Sequence, residues 1–274
     1  MRELGAREIP VELVQFLVVD DHKFVRHIVA ECLKSHDVRR FAYAESGDQA
    51  LEILKRQLPK SSSESLNATI VARDDVPGEL VPGIESFKAE YPYCVITDFK
   101  MGAVNGLHVL KAIRCGETLV PRSTPVILLT GFSDELVVSA ALQLDVNAFV
   151  LKPVSNQTLW ERIQRVLKLV APAGSVINYV NVSIPDDGKR ADDTPNKPQA
   201  PPKMSANVGM DIEWMRLKTL KAGSVLAQDL CDGQGNVILR KNTEFSNSLI
   251  QKLWDLETMN SLAGDIPIKR VPSQ

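Results

Sequence analysis

The chain has 274 residues, 44% hydrophobic and 24% charged, enough for one large domain or two smaller ones of ordinary soluble composition. Its formal net charge of −2 gives no general attraction to nucleic acid or to an anionic membrane. Met1 to Leu13 lacks the apolar core of a signal peptide, and no uncharged run is long enough to cross a bilayer. The four cysteines (Cys32, Cys94, Cys115, Cys231) have no paired spacing for a metal site or a disulfide framework, so a reduced, cytoplasmic setting is expected.

After an N-terminal extension, 1–14, the first apolar run is Phe16 to Val19. Val25, Ile28, Val29, Cys32 and Leu33 then repeat at the spacing of one helix face. A weaker strand signal covers Arg40 to Ala44, followed by a helix around Ala50 to Leu58. Further continuous apolar runs are Cys94 to Thr97, Val126 to Leu129 and Ala148 to Leu151, the pattern of strands covered on both faces. Two more helical patterns run through Leu136–Leu144 and Leu159–Val170, with Ser133 and Ser155 as candidate N-caps. Strand alternating with helix five times over 15–170 predicts an α/β fold, a doubly wound five-stranded parallel sheet.

Two stretches depart from that rhythm. Residues 59–91 separate the second helix from the next strand, carry Ser61 to Ser63 and Asp74-Asp75, and read as a surface insertion with one short helix from Pro82 to Glu90. Such an insertion is either a tolerated loop or a partner-binding element. Residues 171–212 hold six of the 16 prolines, with Asp186-Asp187 and Asp192-Asp193, and read as a flexible tether. Apolar residues return from Trp214, so a second, smaller module is expected over 213–274.

In open parallel sheets the working site lies beyond the carboxyl ends of the strands. The first run ends there in Asp20-Asp21, the middle one in Asp98, the fourth in Thr130-Gly131 and the last in Lys152-Pro153. Three clustered carboxylates repel one another unless a cation joins them, and Mg²⁺ suits an oxygen-only, partly hydrated site. A carboxylate beside Mg²⁺ can act as a nucleophile toward phosphorus, with the metal and the Lys152 ammonium neutralising the phosphoryl oxygens.

Asp20-Asp21, "DFKMGAVNG" around Asp98, "TG" at Thr130 and "KP" at Lys152 occur in the order found in receiver domains of two-component response regulators, which residues 15–170 resemble. The resemblance implies a flavodoxin-like, CheY-like domain that takes a phosphoryl group on Asp98 from a sensor histidine kinase or phosphotransfer protein. It implies Asp21 as a direct Mg²⁺ ligand, Asp20 as a supporting one, and the Lys100 backbone carbonyl completing the metal site. Lys152 and Thr130 would hold the phosphoryl group, and Thr130 with Phe149 would form the switch that alters a surface for a downstream signalling protein. Gly102 stands where a proline is usual and is expected to loosen the loop after Asp98; Phe132 is expected to hinder the attacking water. The histidines (His22, His27, His36, His108) form no ligand spacing and read as surface residues.

In the C-terminal module, Val225–Leu230 and Val237–Arg240 are expected as strands joined by the turn Asp232 to Asn236. Ser246 or Asn247 would cap a helix burying Leu249, Ile250, Leu253 and Trp254, and Ile266–Val271 would add a last strand. About sixty residues are few for an independent core, so this α+β module is expected to dock or to self-associate, as in a homodimer. "AGSVLAQDL", "DGQGNVIL" and "LIQKL" resemble the small β-rich segment that precedes HD-GYP cyclic-di-GMP phosphodiesterase domains. No histidine follows His108, so metal-dependent hydrolysis is not expected. Eight Lys/Arg against seven Asp/Glu in 213–274, on one predicted helix, do not make a DNA-binding output either. The expectation is a non-enzymatic switch. A phosphate sink or relay without dedicated output, and a degenerate cyclic-di-GMP phosphodiesterase, are its alternatives.

Overall fold

The structure, a computed structural model, describes residues 9–55, 93–131, 135–168, 173–185, 212–231, 237–258 and 265–269. The N-terminal unit comprises β1 (Gln15–Val19), α1 (Lys23–Ser35), β2 (Phe41–Ala44), α2 (Gly47–Lys55), β3 (Tyr93–Asp98) and α3 (Gly106–Cys115). It continues with β4 (Val126–Thr130), α4 (Glu135–Gln143), β5 (Ala148–Leu151) and α5 (Asn156–Lys168). All five strands are parallel, in the order β2-β1-β3-β4-β5. Every residue of β1, β3 and β4 is buried, which is why these strands read as unbroken apolar runs.

Alternation along the strands divides the core. Phe16, Val18, Ile96, Ile127, Leu129 and Val150 pack with α1 and α5, whereas Leu17, Val19, Val95, Leu128 and Phe149 face α2, α3 and α4. Ser155 caps α5 as expected, its Oγ accepting from the Thr158 N–H at 3.2 Å. The expected insertion 59–91 and the Ser133 cap lie outside the described residues. Ahead of β1, the Ile9 N–H donates to the Leu167 carbonyl, tying the segment before β1 to the end of α5.

The tether expected from residue 171 does not hold for 173–185. A short helix, α6 (Val176–Val180), packs on α3 and buries Tyr179, whose hydroxyl donates to Asp145 at 2.6 Å and accepts from the Gly174 N–H. Lys111 Nζ donates to the Val182 carbonyl at 2.9 Å and Asn105 Nδ2 to the Pro185 carbonyl at 3.1 Å. Proline content marked the stretch as unable to build its own core. It did not register that Tyr179 and Val182 complete the core of α3. Residues 186–211 lie outside the described residues.

The C-terminal part contains β6 (Ile212–Met215), β7 (Leu230–Cys231), β8 (Val237–Leu239), α7 (Asn247–Thr258) and β9 (Ile266–Lys269). β6 pairs antiparallel with β9 and β7 with β8. β6 begins inside the stretch expected as tether. The continuous strand expected over Val225–Leu230 is replaced by single bridges at Val225 and Leu226 and a two-residue β7. Trp254 is exposed rather than buried. The reason is register: α7 turns Ile250, Leu253 and Leu256 to the apolar core and buries Lys252 and Asp255, leaving Trp254 on its flank. Ser246 caps the helix, accepting from the Leu249 N–H at 3.1 Å.

This part does not stand apart. One apolar cluster runs from Leu128, Ala141 and Phe149 into Leu226, Phe245, Leu253 and Ile268, with α7 packed on β5 and β8 on α4. A cavity of about 570 Å³ lies in the seam, lined by Arg114, Leu142, Asp145, Ile238 and Lys252 among others. Among the described residues no helix is long and apolar enough to cross a membrane.

Candidate functional site

At the carboxyl edge of the sheet, β1 delivers Asp20 and Asp21, β3 ends in Asp98, β4 ends in Thr130, and Lys152 follows β5. The parallel register aligns these ends: Val19 pairs with Thr97, and Thr130 with Leu151. Asp20 and Asp98 are buried, and Asp21 is exposed at the rim. Lys152 Nζ bridges the two buried carboxylates, 2.9 Å from Asp20 Oδ2 and 2.8 Å from Asp98 Oδ2. Burial pushes the Asp98 carboxyl up to about 6; the Lys152 ammonium opposes the rise and the neighbouring Asp20 adds to it. Burial also acts against the Lys152 ammonium, but its hydrogen bonds to Asp98 and Asp20 outweigh that, and its pKa is raised.

Carboxylate oxygens of Asp20, Asp21 and Asp98 and a ring nitrogen of His22 all lie within 4.8 Å of one another. Three carboxylates against the single Lys152 ammonium leave a surplus of negative charge among hard oxygen donors. That donor set fits Mg²⁺. Thr130 is buried, its hydroxyl donating to the Gly131 carbonyl at 3.3 Å. Lys100 is exposed in the turn after Asp98, and Phe149 is fully buried on β5. Phe132 lies outside the described residues.

Two further residues support the site: His22, whose place beside the acidic pair ranked second to a solvated position in the sequence, and Arg26, which sequence reasoning missed. His22, expected as a surface residue, is exposed but donates its backbone N–H to Asp20 Oδ1 at 2.8 Å and sets Nδ1 2.6 Å from Asp21. Arg26 is buried and donates to the Asp20 carbonyl at 2.7 Å while pairing with Glu45 at 2.6 Å. The signal for Arg26 was a cation on the apolar face of α1, between Val25 and Val29. His108 is not a plain surface residue either: its ring closes a capping box with Asn105 at the start of α3.

The loop after Asp98 explains its own sequence. Gly102 has φ +85°, a conformation closed to the proline that commonly stands there. Asn105 caps α3, and Gly106 sits so close to the sheet that an added Cβ would meet the Asp98 carbonyl oxygen at 2.2 Å. Gly106→Ala is therefore expected to lower stability by about 2 kcal/mol, read as a shift in the denaturant midpoint. An unshifted midpoint would mean the loop yields freely.

Residues 69–164 match the family profile described as the response regulator receiver domain. That stretch of the chain is similar to response regulator receiver domains. The matched range begins within the segment expected as an insertion, so β1 with Asp20-Asp21 lies ahead of it. Similar proteins extend the likeness. Chemotaxis protein CheY of Pseudomonas aeruginosa is 28% identical over 115 residues, 42% of this chain and 89% of that protein. Chemotaxis protein CheY-3 of Vibrio cholerae is 24% identical over 155 residues, 57% of this chain and 92% of that protein. A probable transcriptional regulator of Porphyridium aerugineum is 33% identical over 140 residues, half of this chain and 55% of that protein. Among solved structures, a putative response regulator from Chloroflexus aurantiacus aligns with 56% of this chain and 96% of its own, at 20% identity and TM-score 0.39. The resemblance to the segment preceding HD-GYP domains has no counterpart in these matches, which centre on the receiver.

Proposed function

We propose that this protein accepts a phosphoryl group on Asp98 from a histidine kinase or phosphotransfer protein and acts through a protein–protein surface rather than as an enzyme. The observation that carries the reading is Lys152 bridging Asp98 and Asp20 at a carboxylate cluster on the sheet edge. The ammonium already sits where charge on a phosphoryl group bonded to Asp98 must be neutralised.

An Asp98 oxygen attacks the phosphorus of the donor's phosphohistidine. The new C–O–P linkage forms as the P–N bond breaks, and the imidazole leaves with the electron pair and takes a proton. Lys152 then turns from a carboxylate bridge to a partner of the phosphoryl oxygens, and Thr130 offers its hydroxyl to one of them. Asp20 and Asp21, with Asp98 and the Lys100 carbonyl, would hold Mg²⁺. The ion supplies further neutralisation of the transferring group. Arg26 fixes the backbone at Asp20, and His22 orients Asp21 at the rim.

The test is intact-mass analysis after incubation with acetyl phosphate, with Mg²⁺ and with EDTA. A single Mg²⁺-dependent phosphoryl adduct that maps to Asp98 supports the reading. No adduct, or one that maps elsewhere, sinks it.

A further inference from the structure

The cavity of about 570 Å³ in the seam falls within the roughly 300–1,000 Å³ typical of small-molecule sites. Ser123 and Asn147, on its wall, precede β4 and β5, so it lies toward the amino edge of the sheet, opposite the carboxylate cluster. Leu142 next to α4 on one side, and Ile238 on β8 and Leu249 on α7 on the other, supply apolar surface. Ser123 and Ser248, one from each side, supply hydroxyls.

Two buried cations also line the cavity. Lys252 on α7 is 6% exposed and Arg114 on α3 is 2% exposed. Neutral acceptors hold the Arg114 guanidinium: Nη1 donates to the Arg122 and Thr124 carbonyls at 2.6 and 2.9 Å. Nη2 donates to the Asp145 carbonyl at 2.9 Å and to Asn147 Oδ1 at 2.8 Å. These bonds satisfy its N–H groups but do not cancel its charge. The Lys252 ammonium has less. Its ion-pair partner, Asp145 Oδ1, stands 3.8 Å away, beyond hydrogen-bond reach. That carboxylate is half-exposed, and its other oxygen accepts from the Tyr179 hydroxyl at 2.6 Å. Burial acts against both cations, lowering the Lys252 pKa and bringing that of Arg114 down to about 10. Exposed Arg240 and Glu244, also on the lining, offset each other in charge.

The cavity wall therefore carries surplus positive charge in a confined place, and an ammonium short of acceptors. An anion supplies both the missing charge and the missing acceptors. A cation would meet like charge, and a wholly apolar ligand would strip water from the ammonium without replacing it.

We infer that the seam cavity binds a small organic anion, a carboxylate or phosphate ester with an apolar body, whose charged group is held by the Lys252 ammonium. The body lies against Leu142, Ile238 and Leu249, and the serine hydroxyls bond the remaining oxygens. The site does not depend on phosphoryl transfer at Asp98. Because both sides of the seam form its wall, an occupant binds the assembled chain and stabilises it by mass action.

Two dyes with one aromatic skeleton test the charge: anilinonaphthalene sulfonate, an organic anion, and phenylnaphthylamine, the same rings without the sulfonate. Fluorescence titration of the full chain is expected to show one saturable sulfonate site, with the neutral dye bound at least about tenfold more weakly. Hydrogen exchange read by mass spectrometry should slow at 137–143 and 247–252 when the sulfonate binds, and stay unmoved in α1. Lys252→Met keeps the bulk of the side chain and leaves Asp145 half in water, so this variant is expected to melt no lower than the wild type. It should bind the sulfonate at least about tenfold more weakly and the neutral dye no worse. Benzoate and phenyl phosphate, which share a ring, then assign the head group: the better competitor against the sulfonate names carboxylate or phosphate ester.

Equal binding of the two dyes by the wild type, or no saturable sulfonate site, overturns the inference. So does slowed exchange confined to other segments, or unchanged sulfonate affinity in folded Lys252→Met. Displacement by neither benzoate nor phenyl phosphate overturns the ligand class. If Lys252→Met does not fold, the dye pair and the exchange map of the wild-type chain decide.

Discussion

Asp98→Asn is expected to abolish phosphoryl labelling by acetyl phosphate or a phosphorylated donor while leaving the folded protein at least as stable as the wild type. The two halves follow from one environment. The amide keeps the size of the carboxylate but has no anionic oxygen to form the new bond to phosphorus. Burial already opposes ionisation of Asp98, pushing its pKa up to about 6 despite the Lys152 ammonium 2.8 Å away. Near pH 7 the folded state therefore carries a net electrostatic penalty at this residue, which the amide removes. Mass spectrometry after donor treatment and a denaturant titration of the same sample check both. Retained labelling would move the acceptor to another carboxylate of the cluster, Asp20 or Asp21. Lost stability would mean that the contact with Lys152 outweighs the burial.

Lys152→Met is expected to have the opposite effect on the fold and a comparable effect on chemistry. Asp20 and Asp98 are both buried, and Lys152 is the cation that bridges them. Removing it leaves two confined carboxylates facing one another. The cost is about 2 kcal/mol, below the range for a fully buried pair because the lysine side chain is 25% exposed. Mg²⁺ should restore much of that loss, since a dication binding the folded state alone stabilises it by mass action. Mg²⁺ should therefore raise the melting temperature more in Lys152→Met than in the wild type. Labelling by acetyl phosphate should fall about a hundredfold even with Mg²⁺ present, because one of the charges facing the phosphoryl oxygens is gone. Equal Mg²⁺ responses in the two proteins would argue that the metal does not share the Lys152 pocket.

Much of the N-terminal unit was legible in the sequence because its signals are local. A strand covered on both faces must be apolar along its whole length, so β1, β3, β4 and β5 announced themselves within a residue or so of their bounds. A parallel sheet gathers its carboxyl ends at one edge, so Asp20, Asp21, Asp98, Thr130 and Lys152 could be grouped before any coordinates. Glycine at 102 and Asn105-Gly106 carried backbone requirements that only the φ angle and the approach to the Asp98 carbonyl made explicit. Arg26 was hidden, and His22 was read first as a solvated residue, because nothing in a local pattern says which polar side chain turns back toward a strand end.

The sequence by itself determined the alternation of strands and helices and the acidic edge, since each follows from residue type and near-neighbour spacing. Only the tertiary structure decided that 173–185 packs along α3, that Trp254 faces outward, and that α7 lies on β5 with Asp255 between Arg162 and Arg165. Those facts depend on pairs some 90 residues apart, such as Arg165 with Asp255. In the linear sequence Asp255 has the appearance of any solvated helix carboxylate, because its burial is created by a surface that exists only once the sheet has formed.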